Sequence, residues 1–225
     1  MTPSAQGSPI AGRLGLADRV FAGPRSRRLL AKVEAGLERV DRNLEAELTT
    51  ADTLTNATSR YLFDAGGKRV RPMLALLTAH LGEGTTDDVI NAATALELTH
   101  LGSLYHDDVM DEADRRRGVP SAHSVWGNSV AILTGDLLFS RASQLMAKLG
   151  ERAIKLQADT FERLVLGQMH ETVGPHENDD RVAFYLQVLA DKTGSLIAAS
   201  AQAGALFSEA PSAYEQPLVE FGEKA

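Results

Sequence analysis

The sequence predicts an all-α fold, and three observations carry that expectation. Apolar residues recur at threes and fours, as in Leu29, Val33, Leu37, Val40, Leu44 and Leu48, the spacing that gathers them on one helical face. No segment shows the apolar-polar alternation of a half-buried strand. Several periodic stretches run longer than three turns and are rich in Ala, which lets helices approach closely.

Residues 1–27 mix Pro, Gly, Ser and Ala without periodicity and lack the apolar run of a secretory signal, so they are expected to form a disordered leader. Residues 28–225 read as one helical domain, since nothing in the composition forces a second. The first helix runs from Leu29 to Leu48 and leaves Lys32, Glu34, Glu38, Arg39 and Asp41 for water. A second is expected from about Ala51 to Phe63, stopped by Gly66-Gly67, a pair suited to left-handed backbone beyond a helix end. Pro72 fits the first turn of the next helix, which makes GGKRVR a linker. Thr86 and Asp87 can cap a long central helix through INAATALELTHLGSLYHDDVMDEA. Further helices are predicted over Ser129–Leu149, from Glu151 to about Val173, from Arg181 to about Phe207, and from Ser212 onward. RRRGVPSAH and GPHENDD, rich in Gly, Pro, Asp or Asn, read as loops.

Composition excludes several classes of function. Lys and Arg number 23 against 30 Asp and Glu, a formal net charge of -7, which argues against a general nucleic-acid binder. The chain has no Cys, so disulfides, thiolate metal sites and cysteine nucleophiles are out, and a reducing cytoplasm fits. No uninterrupted apolar run reaches the roughly 18 residues of a membrane span.

Against this acidic background the cluster Lys68, Arg69 and Arg71 asks for a negatively charged partner. HDDVMDEAD places Asp107 and Asp111 four residues apart, so both carboxylates leave one helical face about a turn apart. A hard divalent cation turns their repulsion into coordination, and Mg2+ typically takes one or two carboxylates while filling its other positions with water and phosphate oxygens. A solvated acidic helix end is the alternative on these residues alone. His100 lies two turns back on the Asp107 face, and Arg115-Arg116-Arg117-Gly118 follows the acids. Acids beside bases suggest a site for metal plus polyphosphate, with Lys68 and Arg71 as anion clamps. GGKR lacks the spacing of a P-loop, and an EF-hand loop is absent.

These segments resemble the trans-type polyprenyl diphosphate synthases. GGKRVRP is similar to the family's GGKRxRP element, ELTHLGSLYHDDVMDEADRRRG to its first aspartate-rich region, LTGDLLFSRA to the following helix, and DKTGSLIAAS to its Lys-Thr element. The four occur in the family's order from Gly66 to Ser200. The resemblance implies an isoprenoid synthase-type barrel of long antiparallel helices around a central cavity, as a homodimer or a heteromer. It implies Asp107 and Asp111 as Mg2+ ligands with Asp108 beside them. Arg116, Lys192 and Thr193 are then expected on an allylic diphosphate, and Lys68, Arg71, His100 and Arg117 on isopentenyl diphosphate. The implied chemistry ionises the allylic diphosphate, and isopentenyl diphosphate attacks the resulting cation.

Small residues at Gly102 and Ser103, five and four positions before the first aspartate, imply an open pocket and a product of geranylgeranyl length or longer; a Gly that only permits close helix packing is the alternative. Two features depart from the family. GQMHE, Gly167 to Glu171, stands where GExxQ is common, and the second aspartate-rich motif is not found before Ala225. Low activity is therefore expected of the 225-residue chain, with a non-catalytic partner subunit as the alternative and a class I terpene cyclase disfavoured by GGKRVRP and RRG.

Overall fold

The computed structural model describes residues 23–224, so residues 1–22 of the expected leader lie outside the described residues. Helix α1 spans Pro24–Leu48 and starts earlier than the apolar periodicity indicated, because Pro24 occupies the first helical position behind an extended Gly23, where its fixed φ suits the first turn. Its inner stripe is the predicted one: Val33, Val40, Leu44 and Leu48 are fully buried, each stabilising by about 1.5–3 kcal/mol relative to exposure.

Helix α2, Thr53–Asp64, is capped by Asp52, whose carboxylate accepts from the Thr55 N–H at 2.7 Å. Helix α3, Val70–Thr78, begins before Pro72, with Arg69 at its N-cap in the left-handed region, φ 52°. A 3₁₀ turn, Ala79–Leu81, follows. The central helix α4 is Asp87–Met110, and Thr86 caps it as expected, its hydroxyl accepting from the Val89 N–H at 3.1 Å. α4 is buried on most sides over its first three quarters, as befits a helix enclosed by others. It packs against α1, α3 and two later helices, α6 (Asn128–Lys148) and α9 (Ser195–Leu206).

The predicted RRRGVPSAH loop is more ordered than a loop. Arg115–Arg116 (β1) pairs antiparallel with Val119–Pro120 (β2), and the two residues between them, Arg117 and Gly118, both have positive φ, 53° and 83°, the geometry of a tight hairpin turn. A short helix α5, Ala122–Trp126, follows. Two residues are too few to show alternation, which is why periodicity misses them.

Helix α7, Glu151–Val173, matches expectation. The single helix predicted from Arg181 divides into α8 (Arg181–Leu189), a π-helical turn (Ala190–Gly194) and α9. A 3₁₀ turn, Ser212–Tyr214, leads into α10, Glu215–Lys224.

The α4–α6 crossing is set by Gly102 and Gly135. A Cβ on Gly102 would lie 2.9 Å from Phe139 Cε1 and 3.1 Å from the Gly135 carbonyl oxygen, and one on Gly135 would lie 3.0 Å from the Gly102 carbonyl oxygen. Gly102 therefore permits close helix packing, and its position does not make it an open pocket floor. Tyr105 is a packing residue: fully buried, it donates its hydroxyl to the Thr58 carbonyl and accepts from the Leu62 N–H, pinning α2 to α4. Trp126 packs edge-on against Tyr61.

Candidate active site

Five of the ten predicted site residues line one groove. Arg71 enters it from α3, His100 and Asp107 from α4, and Lys192 and Thr193 from the π-helical turn, over a cavity of about 160 Å³ whose apolar wall includes Leu104, Leu164 and Leu196. The π-helical turn is what delivers Lys192 and Thr193. Such a widened turn re-aims side chains that a regular helix would send elsewhere. It sits close on α7 at Gly167, where a Cβ would lie 2.5 Å from the Lys192 nitrogen. The Gly of GQMHE thus makes room for the Lys-Thr turn, and Glu171, one helical turn on, receives the Lys192 ammonium in an ion pair.

The acids divide by their position on α4. Asp107 is half-buried on the groove, and Asp111 is exposed at the helix C-cap, its N–H donating to the Asp107 carbonyl at 2.8 Å. Burial pushes the Asp107 carboxyl above the ordinary carboxylate range, Lys192 pulls it back and Asp111 pushes it further up. Asp108 turns inward: it is 0% exposed, and its Oδ1 accepts from Arg116 Nε at 2.7 Å and from a terminal guanidinium nitrogen at 2.6 Å. Asp108 and Arg116 therefore hold each other, with Asp108 Oδ2 buried and unpaired.

On the cationic side, Arg71 is largely enclosed and its Nε is buried without a hydrogen-bond partner. A buried guanidinium N–H left unpaired is costly, and it lies in the groove beside His100. Burial, reinforced by Arg71, Arg117 and other guanidiniums, holds the His100 imidazole well below its usual range, so at neutral pH it is an uncharged donor or acceptor. Arg117 donates to the carbonyls of Leu62, at 2.7 Å, and Gly66, tying the hairpin to the GGKR turn. Lys68 is exposed on that turn.

Among the described residues no group of three or more His, Asp or Glu side chains converges to hold a metal ion. The two-carboxylate set of Asp107 and Asp111 fits a cation that takes its other oxygens from water and phosphate, which suits Mg2+ and not a closed protein cage.

Around Asp107 the polar groove opens into an apolar cavity of about 180 Å³ that shares Ser103, Asp107 and Leu164 with it and is lined further by Met110, Val165 and Met169. Of the two small residues singled out before the aspartates, Ser103 thus faces the cavity and Gly102 faces α6. The cavity is closed by Phe139 of α6 and Phe161 of α7, whose rings lie 4.6 Å apart. Beyond the rings lies another cavity of about 160 Å³ between α6 and α7. His106 is turned to α6, its Nε2 3.0 Å from the Ile132 carbonyl oxygen and 3.3 Å from Asp136 Oδ1, so its polar contacts are on α6 and not with Asp107 or Asp111. A larger cavity of about 310 Å³ between α7, α9 and α10 includes Arg152, Lys155 and Arg163. Their charges are matched by Glu215, Asp159, Asp191 and Glu223 at 2.7–3.0 Å, so it offers an anion less than the groove does.

The surroundings of three residues were not read from the sequence. Arg69, the middle base of GGKRVR, does not face the groove; it is 6% exposed, donates from Nε to Asp41 at 2.9 Å and packs its guanidinium over the Phe63 ring. Glu97 is 2% exposed and lies 3.5 Å from Arg69. Gln168 lines the apolar cavity with its Oε1 buried and unpaired. Glu97 stands one turn before His100, and an acid flanked by apolar residues within a helix predicted to be central was its available signal.

A family model described as Polyprenyl synthetase matches residues 52–225. The chain is 46% identical over 214 residues to a nonaprenyl diphosphate synthase of Mycobacterium tuberculosis, covering 95% of this chain and 61% of that protein. It is 40% identical over 194 residues to a heptaprenyl diphosphate synthase component 2 of Geobacillus stearothermophilus, covering 86% of this chain and 58% of that one. A crystal structure of geranylgeranyl pyrophosphate synthase from Corynebacterium glutamicum, complexed with calcium and isoprenyl diphosphate, superposes with a TM-score of 0.79 at 42% identity over 90% of this chain and 62% of that one. The chain thus spans about three fifths of the length of the relatives it matches.

Proposed function

The chain belongs to the polyprenyl synthetase family, and from that premise we propose that its groove binds isopentenyl diphosphate and an allylic prenyl diphosphate for chain elongation. The observation that carries this reading is the unpaired, buried Nε of Arg71 in one cavity with His100, Lys192 and Asp107: cationic donors suited to an anion, beside a carboxylate suited to a cation. Asp107 and Asp111 would hold Mg2+, which supplies charge neutralisation for a departing diphosphate. The relative bound to calcium and isoprenyl diphosphate supports a divalent ion in such a site.

In this reading Arg71 and neutral His100 hold oxygens of isopentenyl diphosphate, while Lys192 and the Thr193 hydroxyl hold the allylic diphosphate. Arg116, braced by Asp108, adds its exposed edge to the allylic diphosphate. Asp108 is then a positioning residue. Arg117 also positions, by holding the GGKR turn that carries Lys68. The cavity around Met110, Val165 and Met169 takes the prenyl chain and excludes water from it. Phe139 and Phe161, not Gly102, set its end, and their removal joins it to the cavity beyond. A product of geranylgeranyl length or longer remains part of this reading because Ser103 leaves the entrance open.

The test is elongation of farnesyl diphosphate by radiolabelled isopentenyl diphosphate with Mg2+. Labelled polyprenyl diphosphate supports the synthase; an unlabelled hydrocarbon formed from farnesyl diphosphate contradicts it. A second reading has its own observation: with no cluster of three metal-holding acids among the described residues and a heptaprenyl synthase component 2 among its relatives, the 225-residue chain binds diphosphate but turns over little until joined by another subunit or a second copy. Restoration of elongation on mixing with such a component distinguishes the two.

A further inference from the structure

Beneath the anion groove lies an acid with no assigned role. Glu97 is 2% exposed on α4, three residues from His100. Burial pushes its carboxyl above the ordinary carboxylate range, and the guanidiniums of Arg69, Arg71 and Arg117 pull it back toward the charged form, with Asp41 as the other acid. Arg69 bridges the two carboxylates, its Nε 2.9 Å from Asp41 and a terminal nitrogen 3.5 Å from Glu97. The left-handed backbone of Arg69, φ 52°, directs that side chain inward from the linker. Arg71, by contrast, faces the groove with its Nε unpaired.

Three guanidiniums against two carboxylates leave a cationic excess on the groove side. Without Glu97 the mutual repulsion of the buried guanidiniums would oppose assembly of the clamp, because charges in a poorly hydrated interior are weakly screened. With Glu97 present, the clamp can stand folded before any anion arrives, yet part of its attraction is already spent on an internal partner.

We propose that Glu97 is an internal counter-ion of the arginine clamp, a positioning residue that stands in for the diphosphate in the empty protein and lowers the affinity of the groove for it. This deepens the proposed function and rests on it in requiring the groove to bind a diphosphate. Product release gains from it: the clamp has a charge to fall back on when the elongated product withdraws the diphosphate it received from isopentenyl diphosphate.

The test is calorimetric titration of inorganic pyrophosphate, without divalent cations, into the wild-type chain and Glu97→Gln, together with melting of each protein with and without pyrophosphate. The variant keeps the shape of the side chain and loses its charge. Its melting temperature without ligand is expected to fall by roughly 5–15 °C, pyrophosphate is expected to bind about tenfold more tightly, and the pyrophosphate-induced rise in melting temperature is expected to exceed that of the wild type. A merely structural role would lower the melting point without tightening binding. Should Glu97→Gln not fold, Asp41→Asn decides: it removes the partly exposed acid on Arg69, draws Glu97 toward that residue, and is expected to tighten binding in the same direction by a smaller factor. Equal or weaker binding by the variant overturns the inference while leaving the groove as a diphosphate site. Pyrophosphate that binds none of the proteins overturns the inference and the proposed function together.

Discussion

The two walls of the groove are built in opposite ways. The acidic wall comes from one stretch of one helix: Asp107 and Asp111 meet because they are a turn apart on α4, and Asp111 stays in water. The cationic wall is gathered from α3, the π-helical turn and the hairpin, and most of its charges are buried, braced or paired before any ligand binds. A locally built wall tolerates change elsewhere in the fold. A wall assembled from distant segments depends on the packing that delivers each piece, and the close α4–α6 and α7–π-turn contacts are that packing.

The strongest test of this contrast is Gly102→Phe. On an open pocket floor it would shorten the product and leave the fold intact. With Phe139 and the Gly135 carbonyl about 3 Å from any Cβ, overpacking is expected to cost at least the usual ~1–3 kcal/mol, and thermal melting checks it: a midpoint several degrees lower or an insoluble protein. An unperturbed melt with shorter product would restore the pocket-floor reading. Next in size, Asp107→Asn is expected to abolish the gain in pyrophosphate affinity that Mg2+ brings, read by titration with and without the metal, while Asp111→Asn, at the exposed end of the wall, reduces that gain less. Neither substitution is expected to move the metal-free affinity down, since neither side chain is an anion donor.

Phe161→Ala addresses the junction between the walls and the chain cavity. Opening the aromatic partition is expected to shift affinity toward longer prenyl diphosphates, measured by competition among geranyl, farnesyl and geranylgeranyl diphosphates; an unchanged order of affinities assigns the cavity end elsewhere. The smallest effect is a pH slope. His100 is held neutral well below its usual value of 6.5, so below about pH 6.5 the unfolded chain binds a proton that the folded chain refuses. Stability from this group is present above that pH and is lost on acidification at up to about 1.4 kcal/mol per pH unit. His100→Gln is expected to flatten the stability profile between pH 6.5 and 5.5, as followed by urea denaturation; His80, also shifted down by burial, leaves a residual slope.

The same contrast explains what was legible in the sequence. Most helix positions and the Thr86 cap follow from local spacing, and the structure bears them out; the Asp107–Asp111 pair is read from the same spacing. Helical spacing put His100 on the Asp107 face and the charge pattern suggested Arg71 beside them; that Lys192 and Thr193 join them was foreseen only through the resemblance, since no periodicity links positions so far apart. The direction of each base within GGKRVR was hidden: Arg69 turns inward because its backbone is left-handed, a property that a non-Gly residue rarely advertises. The inward turn of Asp108 follows from helical phase, which places it about 100° around α4 from Asp107, yet its partner Arg116 comes from a hairpin too short to show a pattern. The π-helical turn likewise interrupts a sequence that reads as continuous helix.

The central claim, that Arg71 is a cationic group awaiting a diphosphate opposite the acid pair, is met most directly by titrating inorganic pyrophosphate with Mg2+ into the wild-type chain and Arg71→Gln. The account predicts a single saturable site in the wild type, weakened about 10- to 150-fold in the variant, the loss of a charge-assisted hydrogen bond. Identical binding curves for the two proteins, or no saturable binding by either, would contradict it.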